Sequence, residues 1–214
     1  MSFETWAAFT AASLALLAIP GPTVLLVLSY ALSQGRRVAI STAAGVAVGD
    51  LVAMSASLAG LGALVATSAT LFTALKWIGA AYLIWLGVKL IRSAGSARGM
   101  EVGETGPETG ATTASHTFRH AAIVTALNPK SIAFFIAFVP QFIDPAAPLL
   151  PQFAILAATF VTLAGLNAIL YALLADRLRM RLRKPAVIAW ITRAGGGALI
   201  ALGVATATLR RGTA

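Results

Sequence analysis

Cysteine is absent from the sequence, which excludes disulfides, thiol redox relays and thiolate metal sites. Histidine is nearly absent: only His116 and His120 occur, both beside a polar stretch, so no histidine-rich metal centre is expected. Charge is scarce as well. Only 11% of residues are charged, against about 25% in soluble domains. No Ser/His/Asp set is placed for nucleophilic catalysis, no phosphate-binding loop occurs, and no paired intramembrane aspartates are present. The chain is therefore read as neither an enzyme nor the holder of a cofactor or metal.

What it has instead is apolar length. Apolar residues make up 58% of the 214 positions, and the mean hydropathy is +0.86. That composition describes an all-α integral membrane protein with room for roughly six spans of about 20 residues. A net charge of +9 would suggest nucleic acid in a soluble protein. In a membrane protein, basic residues collect in cytoplasmic loops and set orientation, so no nucleic-acid partner is implied. The first apolar run lacks a basic leader and carries Pro-Gly-Pro at its centre, unlike a signal peptide.

Six spans can be laid along the chain, over about 6–32, 38–65, 71–91, 121–143, 149–175 and a last one ending near Leu209. Between the third and fourth, residues 93–120 are rich in glycine and acids, as in a flexible linker. The expected organisation is a first three-helix repeat over 1–95, a flexible cytoplasmic linker over 96–118 and a second three-helix repeat over 119–214. The first, third and fifth loops hold eleven basic residues. The termini and even loops hold three, among them Lys76, Arg210 and Arg211. That asymmetry puts the odd loops in the cytoplasm and both termini outside. Arg193 is ambiguous, lying either inside the last span or in an interfacial segment before it.

Two spans are interrupted. Pro20-Gly21-Pro22-Thr23 falls mid-way through the first, and Asn128-Pro129-Lys130-Ser131 lies within the fourth. Proline lacks an amide hydrogen and clashes with the carbonyl four residues back, so Leu16 and Ala18 should lose their helical partners. In hydrocarbon such freed groups survive only inside protein or beside a polar cavity. Each half has a break in its first span and a polar residue, Asp50 or Asn167, in its second. Three spans per half make the second half enter from the opposite side, giving two inverted repeats with broken first helices, a transporter pattern.

The candidate substrate-binding residues follow from these breaks. Freed carbonyls attract an ammonium and the amides of the next half-helix attract a carboxylate, so the pair suits a zwitterion. Thr23 and Ser131 offer hydroxyls there; Asn128 and Asn167 both donate and accept. Asp50 lies about twelve residues into span two, near mid-bilayer, where an acid is costly and marks function. It can bind an ammonium or carry a proton. Lys130 can receive a carboxylate, pair with Asp50 when no substrate is present, or snorkel to the interface. Tyr82 is a further cavity candidate, with packing as its other role. Two readings of other classes stay open here: a small cation or metal permeation pathway, and a non-transporting membrane subunit.

The same stretches resemble the LysE/RhtB family of amino-acid exporters. The likeness runs through Pro20-Gly21-Pro22, Gly35-Arg36-Arg37, Gly45-Val46-Ala47-Val48-Gly49-Asp50 and Gly79-Ala80-Ala81-Tyr82-Leu83-Ile84-Trp85-Leu86-Gly87. Its most specific part is Asn128-Pro129-Lys130-Ser131-Ile132-Ala133-Phe134-Phe135, running into Pro140-Gln141-Phe142. The C-terminal third is similar only in hydropathy and a late glycine cluster. The resemblance implies a six-span bacterial inner-membrane protein, assembled as a homodimer, that exports amino acids by proton antiport. It implies homoserine, threonine or leucine-type substrates for the RhtB-like branch and basic amino acids for the lysine-export branch. Few acids lie within the spans, which favours a neutral substrate.

Overall fold

Proline disfavours helical geometry at the residue before it, and both breaks follow that preference in the computed structural model. Residues 1–19, 21–67, 69–94, 113–144, 146–182 and 185–208 are described. Pro20, linker residues 96–112, Pro145, Arg183, Lys184, Arg210 and Arg211 lie outside the described residues.

Helix α1 (Phe3–Ala18) ends where Ile19 turns extended, at φ −80° and ψ 112°. Gly21 is extended too, and α2 (Pro22–Gln34) starts on Pro22, a first-turn position where a missing N–H costs nothing. The two axes differ by 55°. The second break repeats this grammar. Helix α5 (Ala114–Ala126) stops, Asn128 is extended as N-cap, and α6 (Pro129–Ala137) begins on Pro129. A 3₁₀ turn, Val139–Phe142, continues it, and the second bend is 45°.

The other helices run unbroken: α3 (Arg36–Thr67), α4 (Ala69–Ser93), α7 (Leu149–Leu182) and α8 (Pro185–Thr208). Gly35, at φ +82°, makes the sharp α2–α3 corner in a conformation that side chains disfavour. All described elements are helical. Within α3 and α7, Val38–Ala63 and Leu149–Ala175 are long and apolar enough to cross a bilayer, and the bent pairs raise the number to four. Large apolar side chains such as Leu51, Val52, Leu166, Leu170 and Trp190 lie exposed on the helix surfaces, as a lipid-facing exterior requires.

One boundary differs from the composition-based expectation. Helix α5 starts at Ala114, inside the stretch read as linker, because the Thr113 hydroxyl caps the His116 amide at 3.3 Å. Arg193 sits on the exposed face of α8, which is one continuous helix over Pro185–Thr208.

Packing divides into two cores. One gathers Phe9, Phe134, Phe135, Phe138, Phe160 and Leu199; the other gathers Val24, Val27, Tyr30, Val46, Ala168 and Ala172. The helix breaks lie between them. Helix α3 packs against α5 and α7, and α4 packs against α8. Gly87 and Gly196 meet at the α4–α8 crossing, where a Cβ on either would stand 2.5 Å from the other's carbonyl oxygen. Tyr82 belongs to this packing, its ring 5.4 Å from Trp85, and does not line the cavity described below.

Candidate functional site

The last carbonyls of a helix have no intrahelical partner, and at the end of α1 those of residues 16–19 are met by side chains from the other half, Leu16 also accepting the Ile19 amide at 3.3 Å. Lys130 Nζ donates to the Leu16 carbonyl at 3.2 Å and to the Ile19 carbonyl at 2.9 Å. Asn167 Nδ2 donates to Leu17 at 3.2 Å, and the Tyr171 hydroxyl donates to Ala18 at 3.3 Å. The sequence pointed to Leu16 and Ala18 as the freed groups; the structure adds the two carbonyls of Leu17 and Ile19. Tyr171 was not anticipated. Its signal was there, since it follows Asn167 by four residues and so shares its helix face.

The second break leans on the first in turn. Asn128 Oδ1 accepts the Lys130 amide at 3.0 Å, capping α6, while its Nδ2 donates to Thr23 Oγ1 at 3.1 Å. Thr125 donates to the same Thr23 oxygen at 3.4 Å. Asn128→Ala removes the cap and the tie together. The expected loss is about 0.5–2 kcal/mol, read as a lower unfolding temperature in detergent. Asn128→Ser, which keeps a capping oxygen but is too short to reach Thr23, separates the two contributions.

Asp50 projects from α3 into the same space. It is 3% exposed, and its Oδ1 has no hydrogen-bond partner among the described residues. Lys130 is the cation that acts on it, and the Ser131 hydroxyl stands beside it. Gly21, Thr23, Asp50, Asn128, Lys130, Ser131 and Asn167 thus line one cavity, walled on its other sides by valine, leucine and alanine from both cores. Its volume is about 30 Å³, room for roughly two waters. Pro22 and Pro129 are outside that lining; they position it, as the first residues of α2 and α6. Lys130 neither snorkels nor spends its hydrogen bonds on Asp50. It is 9% exposed and held by α1.

Two turns from Thr23 along α2 and two turns from Asn128 along α5, the wholly buried Tyr30 hydroxyl meets His120 Nδ1 at 2.8 Å. This histidine ties helices together, and no group of three metal-ligating side chains forms among the described residues.

Comparison with known proteins places both breaks within one family match. The model of the LysE type translocator matches residues 14–210. The chain belongs to the LysE family. A homoserine/homoserine lactone efflux protein of Salmonella typhimurium is 33% identical over 210 residues, covering 98% of this chain and 99% of that protein. An uncharacterized membrane protein of Vibrio cholerae is 34% identical over 216 residues, covering 98% and 100%. A leucine efflux protein of Salmonella choleraesuis is 35% identical over 130 residues, covering 61% of this chain and 59% of its own. No solved structure matches. This LysE-type chain is a membrane translocator, not an enzyme, and its two most distinctive sequence motifs meet at a single cavity.

Proposed function

We propose that the protein exports a neutral amino acid of the homoserine, threonine or leucine type across the bacterial inner membrane by proton antiport. The observation that carries this reading is the cradle of carbonyls at the end of α1, occupied by an ammonium and facing a buried carboxylate. A cradle that holds one alkylammonium is chemically suited to another, and an amino acid brings one. Helix α2 has no side-chain cap, so its first amides are open to the substrate carboxylate. Asp50 is the sole acid in the lining, and the rest of the wall is largely aliphatic. A second cationic group would find no anion of its own, which favours neutral substrates over lysine or arginine. The efflux proteins to which the chain is similar favour the same class.

Six spans in two inverted three-helix repeats suit this site, with 1–95 and 119–214 as the repeats and 96–118 joining them in the cytoplasm. The packing supports it: α3 against α7 and α4 against α8 are pairs an inverted repeat maps onto themselves. It also exchanges α3–α5 with α1–α7, and α3–α6 with α2–α7, and all four contacts exist, while α4–α6 has no comparable α2–α8 counterpart. Alternating access would then rock one repeat against the other, with Asp50 carrying the returning proton. A small-cation pathway needs those carbonyls free, whereas Lys130 sits on them.

The test is flux in proteoliposomes under an imposed pH gradient. A neutral amino acid should leave against its gradient while protons enter. A thermal screen identifies the substrate: at 100 times its dissociation constant, a true ligand adds about 2.7 kcal/mol of stability. Failure of homoserine, threonine and leucine in both assays would end this reading.

A further inference from the structure

Lys130 raises a problem for any substrate. Its ammonium already holds the Leu16 and Ile19 carbonyls, at the end of α1 where the helix dipole favours positive charge. It also abuts the start of α2, since a Cβ on Gly21 would stand 3.3 Å from Nζ. A cavity of about 30 Å³ leaves no room for a second ammonium on those carbonyls while Lys130 is there. In the same lining, Asp50 Oδ1 is buried with no hydrogen-bond partner among the described residues. One cation is therefore flanked by two places suited to it, and it fills only one.

We infer that Lys130 is a tethered stand-in for the substrate's ammonium: the incoming amino acid takes over the Leu16 and Ile19 carbonyls, and the displaced Lys130 side chain swings onto Asp50 Oδ1. This rests on the export reading above and names how that site loads. Each ammonium replaces another, so the charge on the carbonyl cradle is constant through the cycle. Four flexible side-chain bonds allow the swing without moving α6. The end of α1 is capped in the loaded and the returning carrier alike, as hydrocarbon surroundings demand. The carrier can then return without substrate and perform net export instead of exchange alone. Substrates must bring a free ammonium, so N-acetylated amino acids should not compete.

The experiment compares two modes in proteoliposomes, using labelled leucine, threonine or homoserine, whichever the unaltered protein carries. In Lys130→Met, net efflux should fall relative to amino-acid exchange by about tenfold or more, because the empty carrier has lost its own cation. Net efflux and exchange that decline in step, or vanish together, overturn the inference and make Lys130 a direct substrate contact. A binding measurement stands beside it. Ethylammonium should raise the unfolding temperature of Lys130→Ala by filling the vacated cradle, and should leave the unaltered protein unmoved. Equal shifts in the two, or none in Lys130→Ala, overturn it as well. Should the unaltered protein carry none of the three amino acids in either mode, the export reading fails first, which is a distinct result.

Discussion

Asp50→Asn should abolish proton-driven accumulation while leaving the protein folded. The substitution keeps the shape of a side chain that is 3% exposed and takes away only its capacity to hold a charge or a proton. Asp50 is the sole carboxylic acid in the cavity lining, so its loss removes the group proposed to carry the proton. A second cost falls on loading, because Lys130 leaving the α1 carbonyls would find no anion. Removing one partner of a buried pair costs about 3–5 kcal/mol, and each 1.4 kcal/mol is a factor of ten. Gradient-driven flux should therefore drop about 100-fold or more. Asp50→Glu, with the charge retained and displaced by one methylene, should recover part of it. Full accumulation by Asp50→Asn in proteoliposomes would remove Asp50 from the coupling role.

Gly49→Val should produce a large structural defect. At this glycine α3 crosses α5 so closely that a Cβ would meet the Ala122 carbonyl oxygen at 2.5 Å and the Thr125 Cβ at 2.7 Å. Both obstacles belong to a packed helix and cannot rotate away as a long side chain would. Overpacking of this kind costs about 1–3 kcal/mol. The damage also reaches the cavity from two sides, since Asp50 is the next residue and the Asn128 amide bonds the Thr125 carbonyl at 3.0 Å. Unfolding temperature and transport should therefore fall together. Gly60→Ala is the control on the same helix: nothing lies within 4 Å of its added carbon, so better helix propensity should leave stability unchanged or raised by about 0.5–1 kcal/mol. If Gly49→Val behaved like that control, the tight α3–α5 crossing would be wrong.

The breaks were legible because proline and glycine act locally. Pro22 and Pro129 each dictate what the residue before them can do, and no distant contact is needed to foresee it. The need for a polar refuge at Leu16 was equally local. What no local rule supplies is who answers it. Lys130 is 114 residues from Leu16 and Tyr171 is 153 from Ala18, and those partnerships exist only once both halves are packed. Asp50 was visible as an acid in an apolar run, yet its unpartnered oxygen depends on Lys130 choosing α1. The start of α5 was misjudged for a different reason. Ser115, His116 and Thr117 read as loop by composition, but a single capping hydroxyl on Thr113 and the burial of Thr117 recruit them into helix.

The borrowed capping of α1 has a consequence for biogenesis. The carbonyls of residues 17 to 19 wait for donors encoded 111 to 153 residues later, and Leu16, which accepts the Ile19 amide locally, gains its second donor from Lys130. At roughly 5–20 residues per second of synthesis, the first half would stand in the membrane for about ten seconds with that end unsatisfied. Until α6 and α7 arrive, it must be sheltered by water, lipid headgroups or the insertion machinery. The amino-terminal half is thus an unfinished object by construction, and a ribosome stalled in the linker would leave behind a natural target for membrane quality control.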